Sequence, residues 1–356
     1  MTRGFIYITI RQVASTETAP NWEHNTKGVK TMSTRLIDVV IVGYGNVGRQ
    51  VERAVANASD MRLAAIITGR PEQVKEQTPV PVYDLNSGTI EVVEGHVAVL
   101  CYGTTKLKDL AQRFIRQSPI RALVDSFDDH GAVPGYYGNL NALANYHGKT
   151  YLTCQGWDPG VFSAMRMLLG SILSHVYTFY GVDGPGSSRG HRDALLDIKG
   201  VTDAQSYTNT FQAVLDKARE GQKVGGPTER MFRQNYLVLD EDTEEERARV
   251  SEEIKESSYF SGYQVENHFL TPEALERDHS GQPHNGVVIA TDGNGSSMEF
   301  RITWRNNSEG TAEILVSAAR AVRRLYKEER SGAFLPHQVA AGHFSAKTEG
   351  SLIAEV

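Results

Sequence analysis

The stretch Val39-Val40-Ile41-Val42-Gly43-Tyr44-Gly45-Asn46-Val47-Gly48-Arg49 decides the fold. A β-branched run enters a Gly-x-Gly-x-x-Gly turn and a helical pattern leaves it, which is the context in which this motif binds a dinucleotide. The first glycine permits a tight turn, the second lets backbone approach a pyrophosphate, and the third lets the helix pack on the strand. The helix N-terminus offers N–H groups and a positive dipole end to phosphate. The predicted cofactor contacts at this turn are Gly43, Tyr44, Gly45, Asn46, Val47 and Gly48.

The tip of the second predicted strand indicates which nucleotide is bound. NAD sites usually carry an acid about 20 residues after the glycine motif, where it binds the ribose 2′-hydroxyl. Here the strand 63–67 ends in Thr68-Gly69-Arg70, without an acid. A hydroxyl and a guanidinium can instead receive a 2′-phosphate. Thr68 and Arg70 therefore favour NADP over NAD, and the alternative is that Arg70 is a solvated turn residue.

Strand and helix patterns alternate from residue 35 to about 153. The predicted strands are 38–42, 63–67, 97–101, 122–125 and 151–153, and the clearest helices are 46–57, 106–117 and 136–147. Such alternation predicts an α/β fold, a Rossmann-type doubly wound parallel sheet with helices on both faces. Ligands of such sheets gather at the carboxyl ends of the strands.

The pattern changes beyond residue 174. Predicted strands at 201–208, 234–239, 264–270, 287–290 and 299–304 have fewer helices between them, which indicates an α+β region with a mixed or antiparallel sheet. An acidic run opens a predicted helix at 243–256, and a last helix at 311–327 should pack back on the nucleotide domain. We therefore predict an extension at 1–34, a dinucleotide-binding domain at 35–157 completed by 311–356, and a substrate-binding and dimerisation domain at 158–310.

Composition excludes several classes of protein. The 356 residues carry a net charge of −6 without a basic stripe, so a nucleic-acid partner is not expected. No apolar run reaches the length of about 18 residues that a membrane span needs. Cys101 and Cys154 lie in apolar runs and resemble buried thiols, which favours a reducing, cytoplasmic location. Neither an H-E-x-x-H nor a C-x-x-C pattern occurs, so no metal site is expected.

Three polar clusters follow predicted strands and are the candidates for chemistry. In Gly103-Thr104-Thr105, the first two residues are expected to contact the cofactor. In Asp125-Ser126-Phe127-Asp128-Asp129-His130, a carboxylate can hold a substrate amine and remove its proton, or the loop can simply bend with Asx turns. In Gln155-Gly156-Trp157-Asp158-Pro159-Gly160, Trp157 can shape a pocket, and Asp158 suits either a helix N-cap or a functional role. His191 and His284 lie in glycine-rich loops, where a structural role is the alternative to catalysis.

Together these features resemble one family, the meso-diaminopimelate dehydrogenases. The resemblance runs from residue 35 to about 334. It rests on Ile41-Val42-Gly43-Tyr44-Gly45-Asn46-Val47-Gly48-Arg49, Pro81-Val82-Tyr83-Asp84, Phe127-Asp128-Asp129-His130, Gly156-Trp157-Asp158-Pro159-Gly160, Gly190-His191-Arg192-Asp193-Ala194-Leu195, Gly200-Val201, Tyr259-Phe260-Ser261-Gly262-Tyr263, Pro283-His284-Asn285-Gly286 and Ser331-Gly332-Ala333-Phe334.

The resemblance implies an activity and a partner. It implies that the D-centre of meso-2,6-diaminopimelate is oxidised with NADP to L-2-amino-6-oxopimelate and ammonia, reversibly, in lysine and peptidoglycan precursor synthesis. It also implies a homodimer that uses no metal.

The resemblance further assigns residues. Asp128 matches the aspartate that engages the reacting D-amine, and Trp157 matches the tryptophan that covers the substrate. The residues that match the grip on the distal L-centre are Thr178, Arg233, His284 and Asn306. The family also carries an acid in the loop after the third long strand, for which Asp109 is the candidate here. The tip of strand two has one arginine fewer than the family pattern.

Two other functions are compatible with the pattern. One is a dehydrogenase of the same fold that acts on another amino or oxo acid. The other is a nucleotide-sensing protein without turnover, although such a sensor would not need residues that grip a dicarboxylate.

Overall fold

A seven-stranded parallel sheet carries the nucleotide-binding half of the chain. The computed structural model describes residues 36–173, 177–187 and 189–356, and the extension predicted at 1–34 lies outside them. The strands are β1 (Ile37–Val42), β2 (Met61–Thr68), β3 (Val82–Asp84), β4 (Val97–Leu100), β5 (Ala122–Asp125), β6 (Thr150–Leu152) and β14 (Gly332–Phe334). Their order is β14-β6-β5-β4-β1-β2-β3, so the order in which the chain adds parallel strands reverses between β1 and β4. A crevice at such a reversal is where doubly wound sheets bind ligands.

Helices cover both faces of this sheet, as the sequence predicts. The helices of the chain are α1 (Asn46–Asn57), α2 (Pro71–Val74), α3 (Thr104–Gln117), α4 (Val133–Tyr146), α5 (Val161–Ile172), α6 (Arg189–Leu196), α7 (Gln212–Arg219), α8 (Pro227–Arg230), α9 (Glu244–Glu256), α10 (Pro272–His279), α11 (Asn307–Lys327) and α12 (Glu349–Ile353). One face packs on α1 and α11 through buried Val51, Leu315 and Val322. The other packs on α3 and α4 through Phe114 and Leu140. Burial on both faces explains why these strands are continuously apolar.

The remaining strands form two smaller sheets. The four-stranded sheet contains β8 (Gly186–Ser187), β9 (Val201–Thr210), β10 (Met231–Leu239) and β11 (Gln264–Phe269), and it is mixed because only β10 and β11 are parallel. The three-stranded antiparallel sheet contains β7 (Tyr177–Gly181), β12 (Gly286–Thr291) and β13 (Ser297–Ile302). The α+β prediction is confirmed, but the strands divide between two sheets.

Several helix boundaries differ from the prediction by one to four residues; α3 and α4, for example, begin at Thr104 and Val133. Helix α11 begins at Asn307, four residues before the predicted start, and it packs against α1 as expected. The N-cap of α5 is Gly160 and not Asp158, which corrects the capping prediction. Gly160 has a φ of +154°, and a Cβ there would lie 1.9 Å from the carbonyl oxygen of Gly156. This tight turn delays the start of the helix, because its backbone leaves no room for a side chain at position 160.

Residues Leu36–Val356 form one compact unit. The division into domains at 35–157 and 158–310 therefore stays a prediction. Within the residues described, no helix combines the length and the apolar character needed to cross a bilayer.

Candidate active site

The glycine-rich turn after β1 has an open side that a dinucleotide can occupy. Gly43 has a φ of +94°, and a Cβ there would lie 2.6 Å from Cε2 of Tyr102. A Cβ on Gly48 would lie 2.1 Å from the carbonyl oxygen of Gly43. A Cβ on Gly45, by contrast, would meet no atom within 4 Å. Gly45 is also the N-cap of α1 without a side-chain cap, so the first-turn N–H groups face the open side and fit a pyrophosphate.

The other residues predicted at this turn have different exposures. Asn46 is exposed and Val47 is half-buried at the start of α1. Tyr44 is buried, and its hydroxyl donates to the carboxylate of Glu52. The side chain of Tyr44 is therefore already engaged, so we expect its contribution to a nucleotide to come from the backbone.

The tip of β2 presents a guanidinium to solvent beside this turn. Thr68 is 2% exposed, and its hydroxyl accepts the backbone N–H of Arg70 over 3.3 Å. Arg70 itself is exposed. Tyr102, which sequence reasoning missed, contacts the backbone of Gly69 and also packs against Gly43. Its position two residues after β4, at the carboxyl edge of the sheet, could have indicated this contact in the sequence. No carboxylate occurs in this tip, so the charge arrangement fits a 2′-phosphate.

Asp128 lies at the carboxyl edge of the sheet beside the loop after β4. Gly103 is the N-cap of α3, and Thr104 is its first residue. The hydroxyl of Thr104 donates to the carboxylate of Asp128. Asp128 is exposed, and so are its neighbours Asp129 and His130. The structure thus brings a predicted cofactor residue into contact with the predicted catalytic carboxylate.

A buried carboxylate, Asp125, ties together the two loops that carry Asp128 and Trp157. Asp125 is 0% exposed at the end of β5. Its Oδ1 accepts the N–H groups of Phe127 and Cys154, each over 3.1 Å, and the hydroxyl of Thr153 over 2.7 Å. Its Oδ2 accepts the hydroxyls of Tyr136 and Tyr151 over 2.7 and 2.8 Å. Burial raises the pKa of Asp125, and the hydrogen bonds from Thr153, Tyr136, Phe127 and Tyr151 oppose that rise.

The Trp157 loop is held in an unusual backbone conformation. Cys154, at its start, has a φ of +59°, which few residues other than glycine adopt. The carboxylate of Asp158 accepts the hydroxyl of Ser163 in α5. Nε2 of His130 lies 3.0 Å from the carbonyl oxygen of Asp158. The contact of His130 joins the Asp128 loop to the Trp157 loop, so the two predicted catalytic residues are carried on adjoining loops.

Trp157 itself is 8% exposed and lies in an aromatic cluster. Its ring centroid is 5.4 Å from that of His284 and 6.1 Å from that of Trp304. The indole therefore lies beside His284, one of the predicted distal residues.

Among the residues predicted to grip the distal L-centre, Arg233 supplies a buried guanidinium. Arg233 on β10 is 6% exposed, donates to the hydroxyl of Thr208 on β9, and has its guanidinium carbon 4.0 Å from the ring centroid of Tyr263. Burial lowers the pKa of Arg233. Its Nε is buried without a hydrogen-bond partner, and no carboxylate of the described residues pairs with it. A buried cation in this state fits a ligand carboxylate.

His284 lies beside the ring of Trp157, and Asn306 forms a bridge with Gln282, two residues before His284. Gly186 on β8 pairs with Thr208 of β9 on one side and forms a bridge with His284 on the other, so β8 and β9 lie between His284 and Arg233 on β10. Nδ1 of His284 is buried without a partner among the residues described, and burial lowers the pKa of its imidazole. Asn306 caps α11, with Oδ1 accepting the N–H of Glu309 over 3.1 Å.

Two predicted residues lie apart from these contacts. Thr178 on β7 pairs with Ala290 of β12 and shares a strand face with Tyr180, which packs against Phe162. Asp109 lies in the second turn of α3 and is exposed. Their contributions to substrate binding stay predictions. In the part of the chain that the structure describes, no group of three or more potential ligands has the arrangement of a metal site.

This arrangement defines a class of protein. A parallel sheet with a dinucleotide turn, a carboxylate at the carboxyl edge of that sheet and a buried guanidinium on β10 define a dinucleotide-dependent dehydrogenase for a small substrate that carries a carboxylate.

Comparisons with known proteins give the family. Residues 156–308 match the model of the diaminopimelic acid dehydrogenase C-terminal domain. The meso-diaminopimelate D-dehydrogenase of Ureibacillus thermosphaericus is 35% identical over 327 residues, which cover 90% of this chain and 99% of that protein. The chain therefore belongs to the meso-diaminopimelate D-dehydrogenase family.

Solved structures agree with this assignment. The Corynebacterium glutamicum diaminopimelate dehydrogenase in complex with diaminopimelate superposes with a TM-score of 0.78 at 32% identity, covering 90% of this chain and 99% of that one. An engineered D-amino acid dehydrogenase bound to NADP+ gives a TM-score of 0.75 at 32% identity, with the same coverage. The predictions of the family, of a dehydrogenase acting on CH–NH2 and of NADP as cofactor are confirmed.

Proposed function

We propose that this protein catalyses the NADP-dependent oxidative deamination of the D-centre of meso-2,6-diaminopimelate. The reaction consumes the amino acid, NADP+ and water and yields L-2-amino-6-oxopimelate, ammonium, NADPH and a proton. NADP supplies the acceptor of the hydride that leaves the α-carbon. The single observation that carries the substrate assignment is the buried, carboxylate-free guanidinium of Arg233, because a substrate with a second carboxylate would compensate its charge.

Asp128 is proposed to hold the reacting ammonium and to take its proton. The carboxylate accepts a hydrogen bond from Thr104, which leaves its second oxygen for the amine. Removing a proton from the ammonium gives nitrogen the lone pair that forms the C=N bond as hydride departs. Water then adds to this imine, and ammonia leaves.

The nucleotide is proposed to lie along the carboxyl edge of the parallel sheet. Gly43, Gly45 and the first turn of α1 would hold the pyrophosphate, and Arg70 would hold the 2′-phosphate. The loop residues Gly103 and Thr104 would border the nicotinamide half. Because Thr104 also contacts Asp128, cofactor and reacting amine would meet at this loop.

The distal residues are proposed to choose the stereochemical orientation. Arg233 would hold the carboxylate of the L-centre, and His284, Asn306 and Thr178 would complete its grip. Fixing the far end of the substrate decides which α-carbon meets the nicotinamide, because a fork far from the chemistry sets the position of the near end. Trp157 would cover the chain between the two ends.

A homodimer is proposed as the working form. Support comes from α5, where the apolar side chains of Met167, Leu168 and Ile172 are 49%, 53% and 61% exposed. Light scattering on the purified protein should give twice the mass of the chain, and the mass of a single chain would contradict this proposal.

The test of the reaction is a spectrophotometric assay of NADP reduction. The meso isomer should reduce NADP, the L,L isomer should not, and NAD should be a poorer acceptor. The absence of NADPH with any diaminopimelate isomer would refute the proposed function. Reduction with other amino acids but not with meso-diaminopimelate would favour the same-fold dehydrogenase instead.

A further inference from the structure

The N-terminal turn of α11 holds the indole of Trp157 by two separate contacts. The indole N–H donates to Oδ1 of Asn307 over 2.8 Å. Beneath the ring, a Cβ added to Gly310 would lie 2.3 Å from Cζ2 and 2.8 Å from Cη2 of Trp157. The indole therefore packs against the helix at Gly310, where the helix has no side chain.

Asn307 also contacts strand β8 of the four-stranded sheet. Its Nδ2 donates to the carbonyl oxygen of Ser187 on β8 over 3.3 Å. The N–H of Ser187 in turn donates to the carbonyl oxygen of Pro283 over 2.9 Å, directly before His284. One side chain thus connects the Trp157 loop with the segment that carries a distal residue. Asn307 directly follows Asn306, so the predicted distal residue and the residue that contacts Trp157 lie at the start of the same helix.

The indole has little freedom at this position. Trp157 is 8% exposed, and its ring has neighbours on several sides, with centroids of Phe162 and Trp304 at 6.2 and 6.1 Å. Cδ1 of Trp304 also lies 2.9 Å from the position of a Cβ on Gly310. A methyl group at position 310 must displace the indole of Trp157, because the contact is with a rigid ring and not with the end of a flexible chain.

We propose that Asn307 is a positioning residue and Gly310 a specificity-determining residue, which together set the pose of Trp157 over the substrate. The inference rests on the proposed function, in which Trp157 covers the substrate between its two ends. A fixed indole narrows the crevice to the shape of a long diamino dicarboxylate. A displaced or mobile indole widens the range of D-amino acids that the crevice accepts.

Kinetic coupling between the helix residues and the indole is the test. Asn307→Leu and Gly310→Ala are made in the wild type and in the Trp157→Phe background, with Ser308→Ala, in the same helix turn, as the control. In the wild type, Asn307→Leu should raise KM for meso-diaminopimelate about three- to tenfold, as expected for the loss of one hydrogen bond. The change in kcat should be smaller. Gly310→Ala should lower kcat/KM for meso-diaminopimelate relative to a short D-amino acid by about tenfold or more, as expected of overpacking.

The Trp157→Phe background should remove these effects. Phenylalanine has neither the indole N–H nor the Cζ2 and Cη2 atoms, so each substitution should cost far less there. Equal losses in both backgrounds would overturn the proposal, since they would show that the helix residues act independently of the indole. A change of stability alone, with unchanged KM and substrate preference, would overturn it as well.

Tryptophan fluorescence separates this inference from the proposed function. Asn307→Leu should shift the emission of the full-length protein, and the same substitution in the Trp157→Phe background should not. An unchanged spectrum would contradict the inference even if the enzyme oxidises meso-diaminopimelate. If Asn307→Leu shifts the emission only when Trp157 is present, but the wild type reduces no NADP, the proposed function is refuted and the positioning of the indole by Asn307 stays supported.

Discussion

Replacing Arg233 by methionine should abolish most activity on meso-diaminopimelate without destabilising the protein. Methionine keeps an unbranched apolar chain that can still pack against Tyr263, whose ring centroid lies 4.0 Å from the guanidinium carbon. The lost partner of a buried, hydrogen-bonded charge costs about 2–5 kcal/mol in binding. At 1.4 kcal/mol per tenfold, kcat/KM should fall by about 30- to 3,000-fold.

Unlike an ordinary truncation in the core, Arg233→Met should not lower the free energy of unfolding. Arg233 is 6% exposed, and its side chain contacts Thr208 and Tyr263 but no carboxylate of the described residues. Removing a buried charge without an ionic partner relieves its desolvation cost, so the free energy of unfolding should stay the same or rise. Urea unfolding of the apo protein measures this value.

Arg192→Met is the matched control. Arg192 already pairs with Asp203 over 2.7 Å and donates to the carbonyl oxygen of Ala204 over 2.8 Å, so it has no free role for a substrate. Its replacement should leave kcat/KM nearly unchanged. Unaltered kcat/KM in Arg233→Met, with a marked loss of stability, would show that this guanidinium is a structural residue and would refute the reasoning.

Three further predictions concern the proton, the cofactor and pH. Asp128→Asn should lower kcat by about 10²- to 10⁴-fold, the contribution of one general base, while Asp129→Asn should change it little, as steady-state kinetics would show. Arg70→Ala should raise KM for NADP about tenfold without raising KM for NAD, because only NADP presents a 2′-phosphate, and Arg62→Ala on β2 should alter neither. Burial and a neighbouring guanidinium lower the pKa of His191 to about 4. The unfolded chain therefore gains this proton first as pH falls, so stability should decrease from about pH 6.5 to pH 4 by up to about 3 kcal/mol. Denaturation at several pH values should show a shallower decrease for His191→Phe.

Each of these has a contrary outcome. Equal losses in the two aspartate variants would assign the proton to another group. A parallel rise in KM for NADP and NAD in Arg70→Ala would leave Arg70 as a general turn residue. Identical pH profiles for His191→Phe and the wild type would show that the imidazole of His191 is solvated.

Local patterns explain why much of the nucleotide half could be predicted. The run into Gly43 and the helix after Gly48 are contiguous in sequence, and β5 and α1 have the predicted bounds. Short elements were not predicted. Strand β14, for example, has three residues and is stabilised by pairing with β6, which is far away in the chain. Helix α5 started later than expected, since the turn at Gly160 depends on contact with Gly156 and not on capping propensity.

The site could be predicted only as a set of separate residues. Resemblance to the family assigned Arg233 and His284, whereas no local pattern indicates that a guanidinium will be buried without a carboxylate. The carboxylate of Asp125 accepts hydrogen bonds from Tyr151 of β6 and Tyr136 of α4, and the contact between Asn307 and Trp157 spans 150 residues. Such networks arise from tertiary packing, so their members carry no signal in a single sequence.

The most direct test of the central claim is the fate of a deuterium label. meso-Diaminopimelate carrying deuterium on the α-carbon of the D-centre should transfer it to NADP, and mass spectrometry should find it in the reduced cofactor. The same label on the α-carbon of the L-centre should remain in the amino-oxo product. Deuterium from the L-centre in NADPH would contradict the account, because the distal grip would then hold the substrate in the opposite orientation.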